Sequence, residues 1–336
     1  MLPHSESISR PASAPSVSVV IPLYNKRPFV ERALGSALAQ RDVALEVIVV
    51  DDGSIDGGAD VVAACTDPRV RLVRQPNQGP GAARNTGWRS AVAPCIAFLD
   101  ADDHWAPDYL ALALQRLAEH PQAAAVSLGF LEETDRGVVD PGPDALTAVG
   151  VRWGLFVATP ATAPLQLVRI LEFMFSQSTV VRREVLERYD GFFALDRCTY
   201  GEDSFLWLQV LLNHPVHLEY LPRVTIDRTG SDLSTLRTLA TRSLEPMLTH
   251  PERVEAHCPA PLRSLLGRFL ALKAAKRACV LAAVGRWREG RALVRRFGRD
   301  GAQWTAYGIA TRVFLNPVGA LGARAAVGIL RRVRAH

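Results

Sequence analysis

Four short apolar runs punctuate the first hundred residues: Val17-Ser18-Val19-Val20-Ile21, Glu46-Val47-Ile48-Val49-Val50, Val70 to Val73, and Cys95 to Leu99. Runs so short and so rich in Val and Ile mark strands covered on both faces, as in a parallel sheet. Between them the apolar period changes. Phe29, Val30, Ala33, Leu34, Ala37 and Leu38 recur at helical spacing behind Pro28, a residue well placed early in a helix. Further helices are predicted over about 57–65, over 80–91, and from near Pro107. This alternation predicts right-handed βαβ units in an α/β layer fold, with a mostly parallel central sheet flanked by helices.

Beyond residue 200 the pattern is helical. Phe205, Leu206, Leu208, Leu211 and Leu212 follow Gly201-Glu202-Asp203 at the spacing of a helix packed on the sheet. Residues 132–164, rich in Pro, Gly and Thr, read as long loops over the substrates. Apolar stripes at 262–270, 280–284, 292–294 and 313–330 are interleaved with Arg286, Arg288, Arg291, Arg295, Arg296 and Arg299.

The 336 residues, 48% hydrophobic, exceed the usual size of one domain. The division expected is a flexible leader over 1–16, a catalytic domain over 17–235 and a basic helical C-terminal region over 236–336. Charge follows the same division. Residues 253–336 carry 17 Lys and Arg against 3 Asp and Glu, whereas residues 1–252 carry 22 against 31. An acidic first part attracts a metal cation, and a basic helical tail suits either packing with solvated arginines or peripheral contact with an anionic membrane. Arg312 and Arg324 interrupt the best apolar span, so no crossing helix is expected, and the leader has no signal-peptide core. A cytoplasmic location follows as an expectation, with peripheral contact at the inner face of the cell membrane. The five cysteines are far apart without CxxC spacing and read as free thiols, and the eight histidines show no zinc pattern.

Two of the apolar runs open onto carboxylates: Asp51-Asp52-Gly53-Ser54 follows the second, and Asp100-Ala101-Asp102-Asp103 follows the fourth. In open α/β sheets ligands bind beyond the carboxyl ends of the strands, so both groups face one crevice. Carboxylate oxygens there suit Mg²⁺ or Mn²⁺, which keep some waters and are completed by substrate phosphates. An acidic turn capping the next helix is the competing account of the second group. Gln78-Gly79-Pro80-Gly81 places small residues and free amides at a helix start, where backbone can approach a phosphate. Arg84 either adds charge on the nucleotide side or bridges structurally to the acidic loops. The GxGxxG and P-loop spacings are absent, which removes the main support for a dinucleotide-binding enzyme.

Taken in order, Val19-Val20-Ile21-Pro22-Leu23-Tyr24-Asn25, Val49 to Ser54, Asn77 to Asn85, Phe98 to Asp103 and Gly201 to Leu208 resemble the motifs of family 2 glycosyltransferases. The resemblance spans roughly residues 17 to 212. It implies a GT-A nucleotide-diphospho-sugar transferase fold and inverting transfer from a nucleoside-diphosphate sugar to an acceptor hydroxyl, as in cell-envelope or extracellular polysaccharide synthesis. It further implies that Pro22 and Tyr24 line the nucleobase and ribose pocket, that Asp52 accepts from the base edge, and that Asp100 lies near the ribose or metal waters. Asp102 becomes the ligand of a divalent cation, Mn²⁺ or Mg²⁺, and Asp203 the general base, with Glu202 its orienter or an acceptor contact. Ser176 to Arg183 and Tyr189 to Phe193 resemble the strand, helix and Gly-Phe turn that lead into the Glu-Asp helix, and Arg228 to Ser234 a loop that closes near the diphosphate. The partners implied are the sugar nucleotide and a glycan or lipid-linked glycan, with no nucleic acid. A sugar-nucleotide-forming nucleotidyltransferase would need a Gly- and Lys-rich triphosphate loop near the first strand, which is missing. A non-catalytic anion binder would leave the acidic crevice unexplained.

Overall fold

The computed structural model describes residues 14–140, 142–229 and 243–297. The expected leader up to residue 13, residues 230–242 with the expected domain boundary, and the arginine-interrupted stripe at 313–330 lie outside them.

The first half follows the predicted alternation. It runs β1 (Val17–Leu23), α1 (Arg27–Leu38), β2 (Leu45–Asp51), α2 (Gly58–Ala63), β3 (Val70–Arg74), α3 (Pro80–Ser90) and β4 (Cys95–Phe98). Helix α1 starts with Pro28 in its first turn and buries Val30, Ala33, Leu34 and Ala37, the stripe that the spacing marks. β1 is paired in parallel with β2 and with β4, and β2 with β3. In register, Pro22 lies beside Val50 and Leu23 beside Asp51.

The second half builds the rest of the same sheet. After β5 (His104–Trp105) and α4 (Tyr109–Glu119) come β6 (Ala125–Thr134), β7 (Gly137–Val139), α5 (Gly142–Thr147), β8 (Gly154–Phe156) and α6 (Pro164–Phe173). Then follow β9 (Thr179–Arg182), α7 (Arg183–Tyr189), α8 (Glu202–Asn213) and β10 (Val216–Asp227). The strand order is β3-β2-β1-β4-β9-β6-β10-β5, with β7 on β6 and β8 on β10. β9 runs antiparallel to both β4 and β6, so β6 and its parallel neighbour β10 point the same way as β4. The sheet is therefore mixed, but β1, β2, β4, β6 and β10 all end at one edge. The stretch 132–164 is not all loop: it holds the end of β6, two short antiparallel strands and a short helix, whose brevity hides their periodicity.

The C-terminal helices α9 (Pro246–Thr249), α10 (Pro251–His257), α11 (Arg263–Ala283) and α12 (Trp287–Phe297) complete the described chain. Met247, Leu248, Val254, Leu266 and Phe269 belong to the same buried cluster as the sheet residues. The described part of this region thus packs on the half of the chain that builds the sheet. On α12 the buried residues are Gly290 and Leu293, and Arg286 pairs with Glu289 while Arg296 donates to the Leu248 carbonyl. Among the described residues no helix is long and apolar enough to cross a membrane.

Phe98, fully buried at the end of β4, meets the Phe192 ring edge-on with centroids 4.8 Å apart. Phe98→Ala should cost about 3–5 kcal/mol, since rigid sheet neighbours cannot fill the space. Urea denaturation measures it, and a loss below about 1 kcal/mol would show that this part of the core collapses freely.

Candidate active site

The edge where β1, β2 and β4 end carries the residues that the motifs single out. Tyr24, just past β1, is 49% exposed, and Pro22 is half-buried beside it. Asn25 takes a left-handed conformation (φ 50°), its amide donating to Ser54 Oγ (3.1 Å) while its side-chain oxygen accepts from the Ile55 amide (2.9 Å). The loops after β1 and β2 are thereby stitched together.

Asp51 and Asp52 have different surroundings. Asp51 Oδ1 accepts from the Ser54 amide in a local turn. Asp52, 2% exposed, accepts from Gln75 Nε2 (2.7 Å) and from the amides of Gln78 (2.9 Å) and Gly79 (2.8 Å). This corrects one expectation: the Gln78 and Gly79 amides are taken by Asp52 instead of being free for a phosphate. The glycines have another cause as well. A Cβ on Gly81 would stand 2.4 Å from the Phe193 carbonyl oxygen, so Gly81 is where the chain after α7 crosses the start of α3.

Arg84 resolves its two readings through its partners. Its guanidinium, 5% exposed, donates Nη2 to Asp100 Oδ1 (2.7 Å) and Nη1 to Glu202 Oε1 (2.8 Å), and its face lies 5.3 Å from the Phe192 ring centre. It is a bridge between the loop after β4 and the start of α8, two segments about a hundred residues apart in sequence. Burial works against its charge, and the nearby Asp100, Glu202 and Asp203 outweigh burial and hold it protonated. Asn85 does parallel work: its side chain accepts from the Phe192 amide and donates to the Phe192 carbonyl, both at 2.8 Å.

Glu202 and Asp203 form the first turn of α8 after Gly201, which is left-handed (φ 76°). Burial above all, then the neighbouring Asp203 charge, pushes the Glu202 carboxyl up to about 7 against the pull of Arg84. Asp203 is also raised, mainly by burial, with Arg84 the strongest opposing influence and Asp100 adding to the rise. Its Oδ1 accepts from the Ser204 amide. The two protons belong to the pair.

On the other side of the DxD loop, Asp102 is half-buried and its Oδ2 is 2.6 Å from Lys26 Nζ. Asp103 is buried and points elsewhere, accepting from the Asp227 amide at the end of β10 (2.9 Å), and burial with Asp100 and Asp102 nearby raises it well above the usual range. Arg32 ties the same corner, donating to the Asp102 carbonyl and to the Asp227 carboxylate. Among the described residues no group of three or more His, Cys, Asp or Glu side chains is arranged to hold a metal. Lys26, Gln75 and Arg32 escaped the motif reading. Lys26, beside Asn25, carried a signal as a cation next to a binding motif, whereas the Asp103 to Asp227 contact had none in sequence.

The glycosyl transferase family 2 model matches residues 18–189, about half of the chain. The chain belongs to that family. Among curated relatives it is 33% identical over 175 residues to an uncharacterized glycosyltransferase of Nostoc, covering 51% of this chain and 52% of that protein. It is 45% identical over 115 residues to the succinoglycan biosynthesis protein ExoO of Rhizobium meliloti, covering 34% and 32%. The chain thus matches about half or less of the length of these relatives. The fold is shared with solved structures: S. aureus TarS in complex with UDP-GlcNAc, at 18% identity, a TM-score of 0.55 and coverage of 88% and 91%. It is shared too with the mannosyltransferase PcManGT of Pyrobaculum calidifontis, at 24% identity, a TM-score of 0.54 and coverage of 95% and 90%. The family 2 motifs therefore stand on the family's α/β fold, at the carboxyl edge of its sheet.

Two outcomes are expected. Arg84→Met strands the buried Glu202 and removes the partner of the half-buried Asp100, and should cost about 3–5 kcal/mol at neutral pH, read from urea denaturation. Glu202 has its folded value raised to about 7 from an ordinary 4.5, so the stability linked to its proton is full below 4.5 and lost as pH rises through 7. Relative to the parent, Glu202→Gln should therefore gain stability from pH 5 to pH 8, and parallel stability curves would refute this.

Proposed function

We propose that this chain transfers a sugar from a nucleoside-diphosphate sugar to an acceptor hydroxyl with inversion of the anomeric centre, in the synthesis of an envelope or extracellular polysaccharide. The observation that carries this is the Arg84 bridge, which joins the DxD loop to the Glu202–Asp203 turn. Family membership and relatives such as ExoO support the reaction class and the polysaccharide setting. TarS with UDP-GlcNAc and PcManGT with GDP-Man and Mn²⁺ support a nucleotide-sugar donor and a divalent cation.

In this reading the base lies over Tyr24 and Pro22. Asp52, whose oxygens have lone pairs beyond the three bonds they accept, takes a base N–H. Asp100, held by Arg84, faces the ribose. Asp102 binds the cation: its carboxylate already holds a positive group, Lys26. A site with so few protein ligands fits Mg²⁺ or Mn²⁺, which are completed by phosphate oxygens and water. When bound, such a cation neutralises the charge that builds on the departing diphosphate.

Asp203 accepts the proton of the acceptor hydroxyl as that oxygen attacks the anomeric carbon. The bond from the anomeric carbon to the diphosphate oxygen breaks, and its electron pair leaves with the nucleoside diphosphate. Glu202 orients its neighbour and is itself pinned by Arg84. The catalytic unit is assigned to about 17–235, with the basic helical region after it and a leader before it. The acceptor is a glycan or lipid-linked glycan, and peripheral membrane contact belongs to the basic region.

Screening sugar nucleotides for diphosphate release with Mn²⁺ or Mg²⁺ tests the reaction. Pyrophosphate release, or none with any donor, would overturn it. With the donor found, Asp203→Asn should lower kcat by about 10²–10⁴-fold at unchanged donor KM. The acid limb of the pH–rate profile should lie above the ordinary carboxylate range, because the Glu202–Asp203 pair must lose its shared proton, and Glu202→Gln should move it down. A limb that stays in place would remove Glu202 from the pair.

A further inference from the structure

Behind the Glu202–Asp203 turn lies an ion pair that the transfer chemistry does not use. Glu245, buried just before α9, contacts Lys273 Nζ on α11 at 2.5 Å, and both side chains are nearly closed to solvent. Burial opposes the Lys273 charge, and Glu245 first, then Tyr200 and Glu172, outweigh it. Its acidic member lies against the turn itself. A Cβ on Gly201 would lie 3.1 Å from Glu245 Cγ, 3.3 Å from its Cβ and 3.4 Å from Pro246 Cδ. Only a glycine lets Glu245 sit this close to a left-handed residue next to the two carboxylates.

We infer that the Glu245–Lys273 ion pair is a positioning element for the Gly201-Glu202-Asp203 turn, through which α11 of the C-terminal region holds the acceptor base in place. This rests on Asp203 being that base. Two contacts then meet the turn: Arg84 grips Glu202 from α3, and Glu245 packs against Gly201. Lys273 keeps the side chain at 245 in that pose, since a buried polar end left without its partner, carboxylate or amide, would turn toward water. Displacement of a base by about 1 Å can cost on the order of 100-fold in rate without touching donor affinity.

The test uses the full chain and the variants Lys273→Met, Lys273→Arg and Glu245→Gln/Lys273→Met, the last removing both charges so that none is stranded. Hydrogen–deuterium exchange needs no donor. The neutral double variant should unfold cooperatively, exchange faster at residues 200–204 than elsewhere, and lose about 10- to 100-fold in kcat with donor KM unchanged. Lys273→Arg should restore protection and turnover. Wild-type exchange and kcat in the double variant would overturn the inference, as would faster exchange spread evenly over the chain. If Lys273→Met fails to fold, the double variant and Lys273→Arg decide the matter. Full turnover by Asp203→Asn alongside a local exchange change would remove the base assignment and leave the mechanical coupling standing.

Discussion

A single guanidinium holds the two halves of the site together. Arg84 projects from α3 and satisfies one carboxylate from the loop after β4 and another from the start of α8. Arg84 and Glu202 are deeply buried and costly to strand, so each is conditional on the other, while the half-buried Asp100 adds a second partner for the arginine. A cation of fixed, forked geometry suits this place better than a lysine, because two carboxylates must be met from different directions at once. The Phe192 ring beneath it completes the seat, and Asn85 one residue later fastens Phe192 by its backbone.

The same arrangement sets the chemistry of the acidic pair. Burial raises both Glu202 and Asp203, and Arg84 limits the rise. A base that retains some affinity for a proton while staying ionisable near neutrality is a better proton acceptor than an exposed aspartate. The arginine thus serves as strut and as electrostatic trim. Its partner Asp100 shares a loop with Asp102, so the carboxylates of the loop after β4 and those at the start of α8 are mechanically one piece.

Much of this was legible because its causes are local. The Val and Ile runs announce β1, β2 and β4, and strands of one direction put their following loops, which carry Asp52, Asp100 and Asp102, on one edge. What was not legible depends on distant pairing. β9 inserts antiparallel between β4 and β6, and nothing in Thr179 to Arg182 reveals that direction. β10 shifts register around Pro222, which has no amide to donate, and Gly129 passes beneath the Tyr220 carbonyl there. The small residues of Gln78 to Gly81 misled for a clear reason. Close approach to a phosphate and close approach to another backbone demand the same absence of side chain, and here Asp52 and Phe193 are the neighbours.

The crossing of Phe193 over Gly81 has a consequence for how such a scaffold diversifies. From that crossing to Gly201 the chain is pinned at both ends, and between them the carbonyls of Arg197 and Cys198 lie against Gly79. A segment fastened at start, middle and end has no slack in which to absorb an added or deleted residue. Changes of length are absorbed more readily in the exposed turns between the short elements of 135–163, around 135–140 and 157–161, while the span before the Glu-Asp helix keeps its length.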